Sequence, residues 1–211
     1  PKFGSINIHS SLLPKYRGAA PIQHALLNQE KLTGISTFLI EPKVDTGKII
    51  DQFIVEISAD DNYGSLSKKL SEAGAELIES SVNKCYTNSA NLIEQNDSEA
   101  TMAPKISKDD LRINWNQDSS VILAMIKAFS PTPGAFTTIN NKRLKIFKAD
   151  VIDYNSNNEV GVIYNVCKNY FDVQCEHNSL RLHCVQLEGK RVMDSKDFIL
   201  GYQNLDSSSL V

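Results

Sequence analysis

The sequence predicts an α/β part followed by a small all-β barrel, and three observations predict it. Up to residue 86, short apolar and β-branched runs alternate with stretches of helical spacing. Residues 88–110 are polar and mixed. Beyond residue 130 the chain turns into short strands with close turns, the pattern of a small barrel, and an OB-like barrel fits that spacing.

Taken in order, residues 3–9 read as a strand. Residues 18–28 read as a helix with Pro21 in its first turn and Ile22, Leu26 and Leu27 on one side. Residues 33–41 and 49–57 are β-branched and apolar, hence strands, and Asp45-Thr46-Gly47 between them reads as a loop joining neighbours. A long helix is expected over 63–86, with Asp60, Asp61 and Asn62 offering cap oxygens. Leu66, Leu70, Ala73, Leu77, Ile78 and Val82 make its buried stripe.

In the second half, 119–129 reads as an amphipathic helix closed by Pro131 and Pro133. Strands follow at 136–139 and 144–147 around the hairpin signal Asn140-Asn141, then at 160–166, 170–174 and 180–187. Asp194 and Asp197 suggest a capping box for a last helix ending at Gly201. The domain reading is 1–90, a linker over 91–110, and 111–211.

Composition is that of an ordinary globular chain. There is no apolar run of membrane-spanning length and no signal-peptide pattern. The opening Pro1-Lys2-Phe3 runs at once into a strand, so the chain reads as the later portion of a longer protein. The four cysteines form no C-x-x-C pair, which argues against zinc and for reduced thiols in a cytoplasmic protein. Net charge is −4 over residues 1–104 and +1 over 105–211. The most basic spot is Lys142, Arg143, Lys145 and Lys148. It reads either as a phosphate-facing patch or as a solvated strand edge protected by lysines.

The residues richest in chemistry are Asn7, His9 and Asp45. Asn7 and His9 lie two apart on a strand, so their side chains leave one face. An amide and an imidazole together can polarise a carbonyl and move a proton, and a carboxylate can set the imidazole's charge state. Ser10 and Ser11 follow without any G-x-S-x-G elbow. Leu12, Leu13 and Pro14 read either as an apolar wall or as a packed turn. Arg17 is a candidate for a phosphate or carboxylate contact, or for capping a carbonyl. His24, His177 and His183 are assigned no role.

These motifs resemble the folate-dependent formyltransferases: Asn7-x-His9, then Ser11-Leu12-Leu13-Pro14, then Asp45-Thr46-Gly47, in the family's order. Arg17-Gly18-Ala19-Ala20-Pro21-Ile22-Gln23 is most similar to the branch that acts on methionyl-tRNA. The resemblance continues through Ala103 to Lys108, Arg112 to Trp115 and Glu188 to Lys190. It implies a partial Rossmann-like formyltransferase domain, a linker and an OB-like domain that grips tRNA. It implies 10-formyltetrahydrofolate as donor and methionyl-initiator-tRNA as acceptor, with no metal, in the cytoplasm or an organellar matrix, and a monomer when complete. By position Asn7, His9 and Asp45 are the catalytic trio, Ser11 to Pro14 line the folate, and Arg17 with the Lys142–Lys148 cluster meets tRNA. The family's half-sheet upstream of the Asn-x-His strand is absent, so weak activity or none is expected of residues 1–211 alone. The trio does not distinguish formylation of an amino sugar nucleotide or of glycinamide ribonucleotide, or hydrolysis of formyltetrahydrofolate. A non-catalytic RNA-binding module is a rival of another class.

Overall fold

The computed structural model describes residues 4–202 and 204–211. Phe3, the expected start of the first strand, lies outside them. The chain forms two compact units that meet at Ile106/Ser107.

The first unit contains β1 (Ile6–His9), α1 (Pro21–Leu27), β2 (Leu32–Leu39), β3 (Ile49–Glu56) and α2 (Tyr63–Tyr86). The strands lie in the order β1-β2-β3, and both pairings are antiparallel. The short loop 40–48 between β2 and β3 dictates this for that pair, since parallel neighbours need a long crossover. β2 is central, and its run from Thr33 to Phe38 is buried on both faces. α2 packs on β2 and β3. Its start is fixed by a capping box in which the Asn62 side chain accepts from Ser65 N–H and the Ser65 hydroxyl accepts from Asn62 N–H.

The core row of α2 is Leu66, Leu70, Gly74 and Ser81, with Leu77 and Ile78 half-buried. Val82, expected in that stripe, is instead 47% exposed. Ser81 takes the inward position because its hydroxyl is fully satisfied there: it bonds Thr37 Oγ1 at 2.7 Å, Asp51 Oδ2 at 2.8 Å and the Leu77 carbonyl at 2.9 Å. Burying the two leucines contributes roughly 1.5–3 kcal/mol each.

Residues 93–103, read from sequence as part of a linker, are laced onto the first unit. Ile93 and Ile49 exchange two backbone hydrogen bonds of 2.9 Å, and Arg17 N–H donates to the Thr101 carbonyl at 2.9 Å. Ala103 N–H donates back to the Arg17 carbonyl at 2.7 Å.

The second unit contains α3 (Ser119–Phe129), β4 (Ala135–Ile139), β5 (Lys142–Ile152), β6 (Ile163–Tyr164), β7 (Phe171–Gln174), β8 (Ser179–Leu187), β9 (Met193–Asp194) and α4 (Ser195–Gly201). The sheet runs β4-β5-β8-β7-β6, all antiparallel, with β9 on β8. Asn140 and Asn141 both have positive φ, at 46° and 61°, which is the geometry of a two-residue hairpin turn. The outer edges of β4 and β6 are joined by residues 207–211. Val211 exchanges two backbone bonds with Thr138, at 2.9 and 3.0 Å. Ser207 and Ser208 bond Ile163, and Leu210 bonds Gly161. These bonds cover strand-edge groups that would otherwise be a template for unwanted pairing.

α3 covers the sheet with Ile122, Met125, Ile126 and Phe129, and Asp118 caps its start through Ser120 N–H at 2.7 Å. The capping box expected at α4 does not form: Asp194 makes no side-chain cap bond. The buried Ser195 hydroxyl donates instead to the Leu182 carbonyl at 2.8 Å, so the helix start is tied to β8.

Candidate active site

His9 ends β1, opposite Ser36 on β2. It is 6% exposed, and its ring stands edge-on to Phe38 with centroids 6.5 Å apart. Nε2 lies 2.7 Å from the Tyr16 carbonyl oxygen. A carbonyl only accepts, so Nε2 carries a proton and proton exchange falls to Nδ1. Nδ1 faces Asp45 Oδ2 at 3.6 Å. The same carboxylate oxygen accepts from Gly18 N–H at 2.8 Å. Asp45 reaches this spot from loop 40–48 with φ +53°. Gly47 follows for a steric reason, because a Cβ there would run into the Leu39 carbonyl.

Asn7, on the same face of β1, is exposed, and its amide makes no hydrogen bond among the described residues. Both of its N–H donors are therefore available to an incoming group. The structure thus brings His9 and Asp45 together and leaves the Asn7 amide open beside them.

The turn after β1 is held from within. Ser11 is fully buried, and its hydroxyl donates to the Lys15 carbonyl at 2.6 Å. Ser36 Oγ donates to the Ser11 carbonyl at 2.7 Å and accepts from Leu13 N–H at 2.9 Å. Gln52 Nε2 donates to Ser36 Oγ and to the Leu13 carbonyl at 2.8 and 2.9 Å. Leu13 joins Phe38 and Ile49 in a core cluster. Leu12 and Pro14 are half-buried, so of the expected folate wall only these two reach the surface. Tyr16 takes φ +61°, a strained choice for a residue with a side chain. The strain aims its carbonyl at His9 while its phenol donates to Glu30 Oε1 at 2.6 Å. Burial, then the Glu30 carboxylate, push that phenol's pKa up.

Family comparisons divide along the same two units. A model for formyl transferase matches residues 1–82, and a model for the formyl transferase C-terminal domain matches residues 105–203. The chain belongs to the formyl transferase family. It is 42% identical over 201 residues to a methionyl-tRNA formyltransferase of Thermodesulfovibrio yellowstonii, a match covering 95% of this chain and 64% of that protein. The chain thus spans a little under two thirds of that relative. Among solved structures it is similar to HypX from Aquifex aeolicus in complex with tetrahydrofolic acid. That similarity has a TM-score of 0.72 at 16% identity, over 93% of this chain and 34% of the other. An N-formyltransferase from Helicobacter canadensis, in complex with folinic acid and dTDP-3-aminofucose, gives a TM-score of 0.68 at 24% identity, over 84% of this chain and 65% of that one.

In this formyl transferase chain the other expected site residues fall into two groups. Arg17 does not face outward. It is 6% exposed, and its guanidinium donates to Gln95 Oε1 at 3.0 and 2.8 Å and pairs with Asp97 at 2.8 Å. Its burial and these partners tie it into the first unit, the internal role that its sequence position also allowed. The basic cluster lies on β5. Lys142 and Lys148 are exposed. Arg143 stacks over Phe136 at 4.6 Å, and Lys145 Nζ donates to the Pro133 carbonyl at 2.7 Å. Arg143 and Lys145 also line a shallow pocket with Gln186 and Gly189.

Sequence reasoning missed Ser36, Gln52 and Gln95, which fasten the turn and the Asp45 loop. No local pattern signals them, since their partners lie 16 to 78 residues away. Among the described residues, no group of three or more His, Cys, Asp or Glu is placed to hold a metal ion. None of the described helices is long and apolar enough to cross a membrane.

Proposed function

We propose that the protein transfers a formyl group from 10-formyltetrahydrofolate to the amino group of methionyl-initiator-tRNA. The observation that carries this reading is His9 fixed between the Tyr16 carbonyl and the Asp45 carboxylate, with the open Asn7 amide two residues upstream. The 42% identity to a methionyl-tRNA formyltransferase supports the acceptor over an amino sugar. The tetrahydrofolic acid and folinic acid bound in its structural neighbours support the donor.

The chemistry follows from the residues. The neutral amine attacks the formyl carbon, a C–N bond forms, and the carbonyl oxygen gains negative charge. The Asn7 amide donates to that oxygen, a contribution of about 3 kcal/mol to the barrier for one well-placed donor. His9 takes the proton that the attacking nitrogen sheds, and Asp45 faces the resulting imidazolium. The same proton goes to N10 of the folate as the old C–N bond breaks. Leu12 and Pro14 flank the pterin. Ser11 and Leu13 act from behind, by shaping the turn.

In this reading the first unit is the later part of a Rossmann-like catalytic domain, with residues 93–103 bound to it. The second unit is an OB-like barrel presenting Lys142, Arg143, Lys145 and Lys148 to tRNA phosphates. In this reading the complete protein works as a monomer, in the cytoplasm or an organellar matrix. The test is transfer of labelled formyl from 10-formyltetrahydrofolate to methionyl-initiator-tRNA by the full-length protein, with His9→Ala as control. Product that vanishes in the control supports the reading. Equal product from His9→Ala, or formylation of a nucleotide-linked amino sugar but not of the tRNA, overturns it.

A further inference from the structure

The Asp45 loop needs an anchor. Residues 41–44 are exposed, and within the loop the Thr46 hydroxyl reaches only as far as the Lys43 carbonyl, at 3.2 Å. A catalytic carboxylate on such a loop would wander unless another segment held the backbone behind it.

Gln95 supplies that hold. Its Nε2 donates to the Asp45 carbonyl at 2.9 Å and to the Gly47 carbonyl at 2.8 Å. Its Oε1 accepts both bonds from Arg17. The amide orientation is forced: turned over, it would set NH₂ against a guanidinium and an oxygen against two carbonyl oxygens. Arg17 directly follows Tyr16, whose carbonyl holds His9. One side chain therefore joins the backbone beneath Asp45 to the turn that anchors His9. Gln95 lies in the stretch between the two regions matched by the family models.

We infer that Gln95 is a positioning residue that sets the Asp45 carboxylate against His9. The inference rests on the catalytic reading of Asp45 given above. It assigns a site function to a segment that sequence reasoning treats as a connector. The strap over 93–103 also closes on the first unit through Lys48–Glu94 at 2.7 Å and Tyr16 N–H to Thr101 Oγ1 at 2.8 Å, so Gln95 is held at both sides.

Gln95→Glu separates positioning from folding. It is isosteric and keeps the acceptors for Arg17, but it loses both donors and sets a charged oxygen against two carbonyls. Asp97→Ala, at the exposed rim, removes an Arg17 partner without touching Gln95. The readout is amide hydrogen exchange at Gly18, whose N–H reports the Asp45 carboxylate directly, with Leu70 in α2 as the fold reference. In Gln95→Glu the Gly18 exchange rate rises about tenfold while Leu70 is unchanged. In the full-length protein kcat falls about tenfold or more with KM for both substrates within about twofold. Asp97→Ala leaves each value as in the wild type. Wild-type Gly18 exchange and kcat in Gln95→Glu overturn the inference. Asp45→Asn is measured in parallel. If it keeps full turnover while Gly18 still responds to Gln95→Glu, the catalytic role of Asp45 fails and the fastening of the loop by Gln95 stands.

Discussion

The Asp45 carboxylate accepts a hydrogen bond from Gly18 N–H at 2.8 Å through the same oxygen that faces His9. This joins the turn after β1 to the loop before β3 at one atom. Gly18 can serve because it has φ +121° and no side chain; a Cβ there would lie 2.6 Å from the Ala103 carbonyl oxygen. Gly18→Ala must push the turn away from residue 103 and draw the amide off Asp45. The expected outcome is a stability loss of about 1–3 kcal/mol in urea denaturation. Turnover falls about tenfold or more, because the carboxylate loses its fixed donor.

Much of the candidate site is legible in the sequence because its parts are rare residue types in short motifs. Asn7 and His9 stand two apart on a strand, and Asp45 sits in a Gly-ended loop. Secondary structure is equally legible where period and caps agree, as in α2 and in the Asn140-Asn141 hairpin. What stays hidden depends on distant partners. Arg17 reads as an available cation, and only Gln95 and Asp97, about 80 residues on, show it to be internal. Ser81 reads as a surface residue beside Val82, and only the hydroxyl of Thr37 and the carboxylate of Asp51 turn it inward. The antiparallel pairing of β1 with β2 is likewise not encoded in either strand's own pattern.

Asp61 gives the first unit an acid-sensitive anchor. Burial alone would raise its carboxyl, but bonds from Lys69, Ser65 and Ser58 outweigh burial and bring its pKa from 3.8 to about 2. Lys69 Nζ lies 2.6 Å away, and the Ser65 hydroxyl, which also caps α2, lies 2.8 Å away. A carboxylate whose pKa is lower in the folded state stabilises fully above its unfolded value. That contribution is lost as pH falls through the folded value, here from about 4 to about 2. Asp61→Asn should therefore lower stability near neutrality and flatten the fall between those two pH values. Urea midpoints measured across that range check this; a curve parallel to the wild type would contradict it.

The sheet of the second unit is locked by an ion pair between neighbouring strands. Arg181 on β8 meets Asp172 on β7 through two bonds, at 2.8 and 2.9 Å, and Asn165 adds a third at 2.6 Å. Asp172 is 1% exposed, so it has no water to fall back on. Arg181 also lies 3.7 Å above the Tyr170 ring, and its pKa is raised, chiefly by the hydrogen bonds to Asp172. Arg181→Met leaves a buried charge without its cation and should cost about 3–5 kcal/mol. Arg181→Met with Asp172→Leu together should recover most of that loss, since removing both charges ends the desolvation penalty. Chemical denaturation of the two variants decides between a lock of this kind and a mere surface pair, for which the single change would cost under about 1 kcal/mol.

The proposed tRNA face makes a different demand, because its free charges should act on binding and not on chemistry. Lys142 and Lys148 are exposed on β5, whereas Lys145 is tied to the Pro133 carbonyl and Arg143 lies over Phe136. If each exposed lysine neutralises one phosphate, Lys142→Ala with Lys148→Ala should reduce the slope of log affinity against log salt by about 1.5–2. At moderate salt the doubly changed protein should bind methionyl-initiator-tRNA about tenfold or more weakly. Turnover at saturating tRNA should stay at the wild-type rate, because the proposed catalytic groups lie in the first unit. Filter-binding titrations over a range of salt, run beside single-turnover formylation, test this. An unchanged salt slope would mean that β5 is a solvated strand edge whose lysines prevent aggregation, the other reading its charge pattern allows.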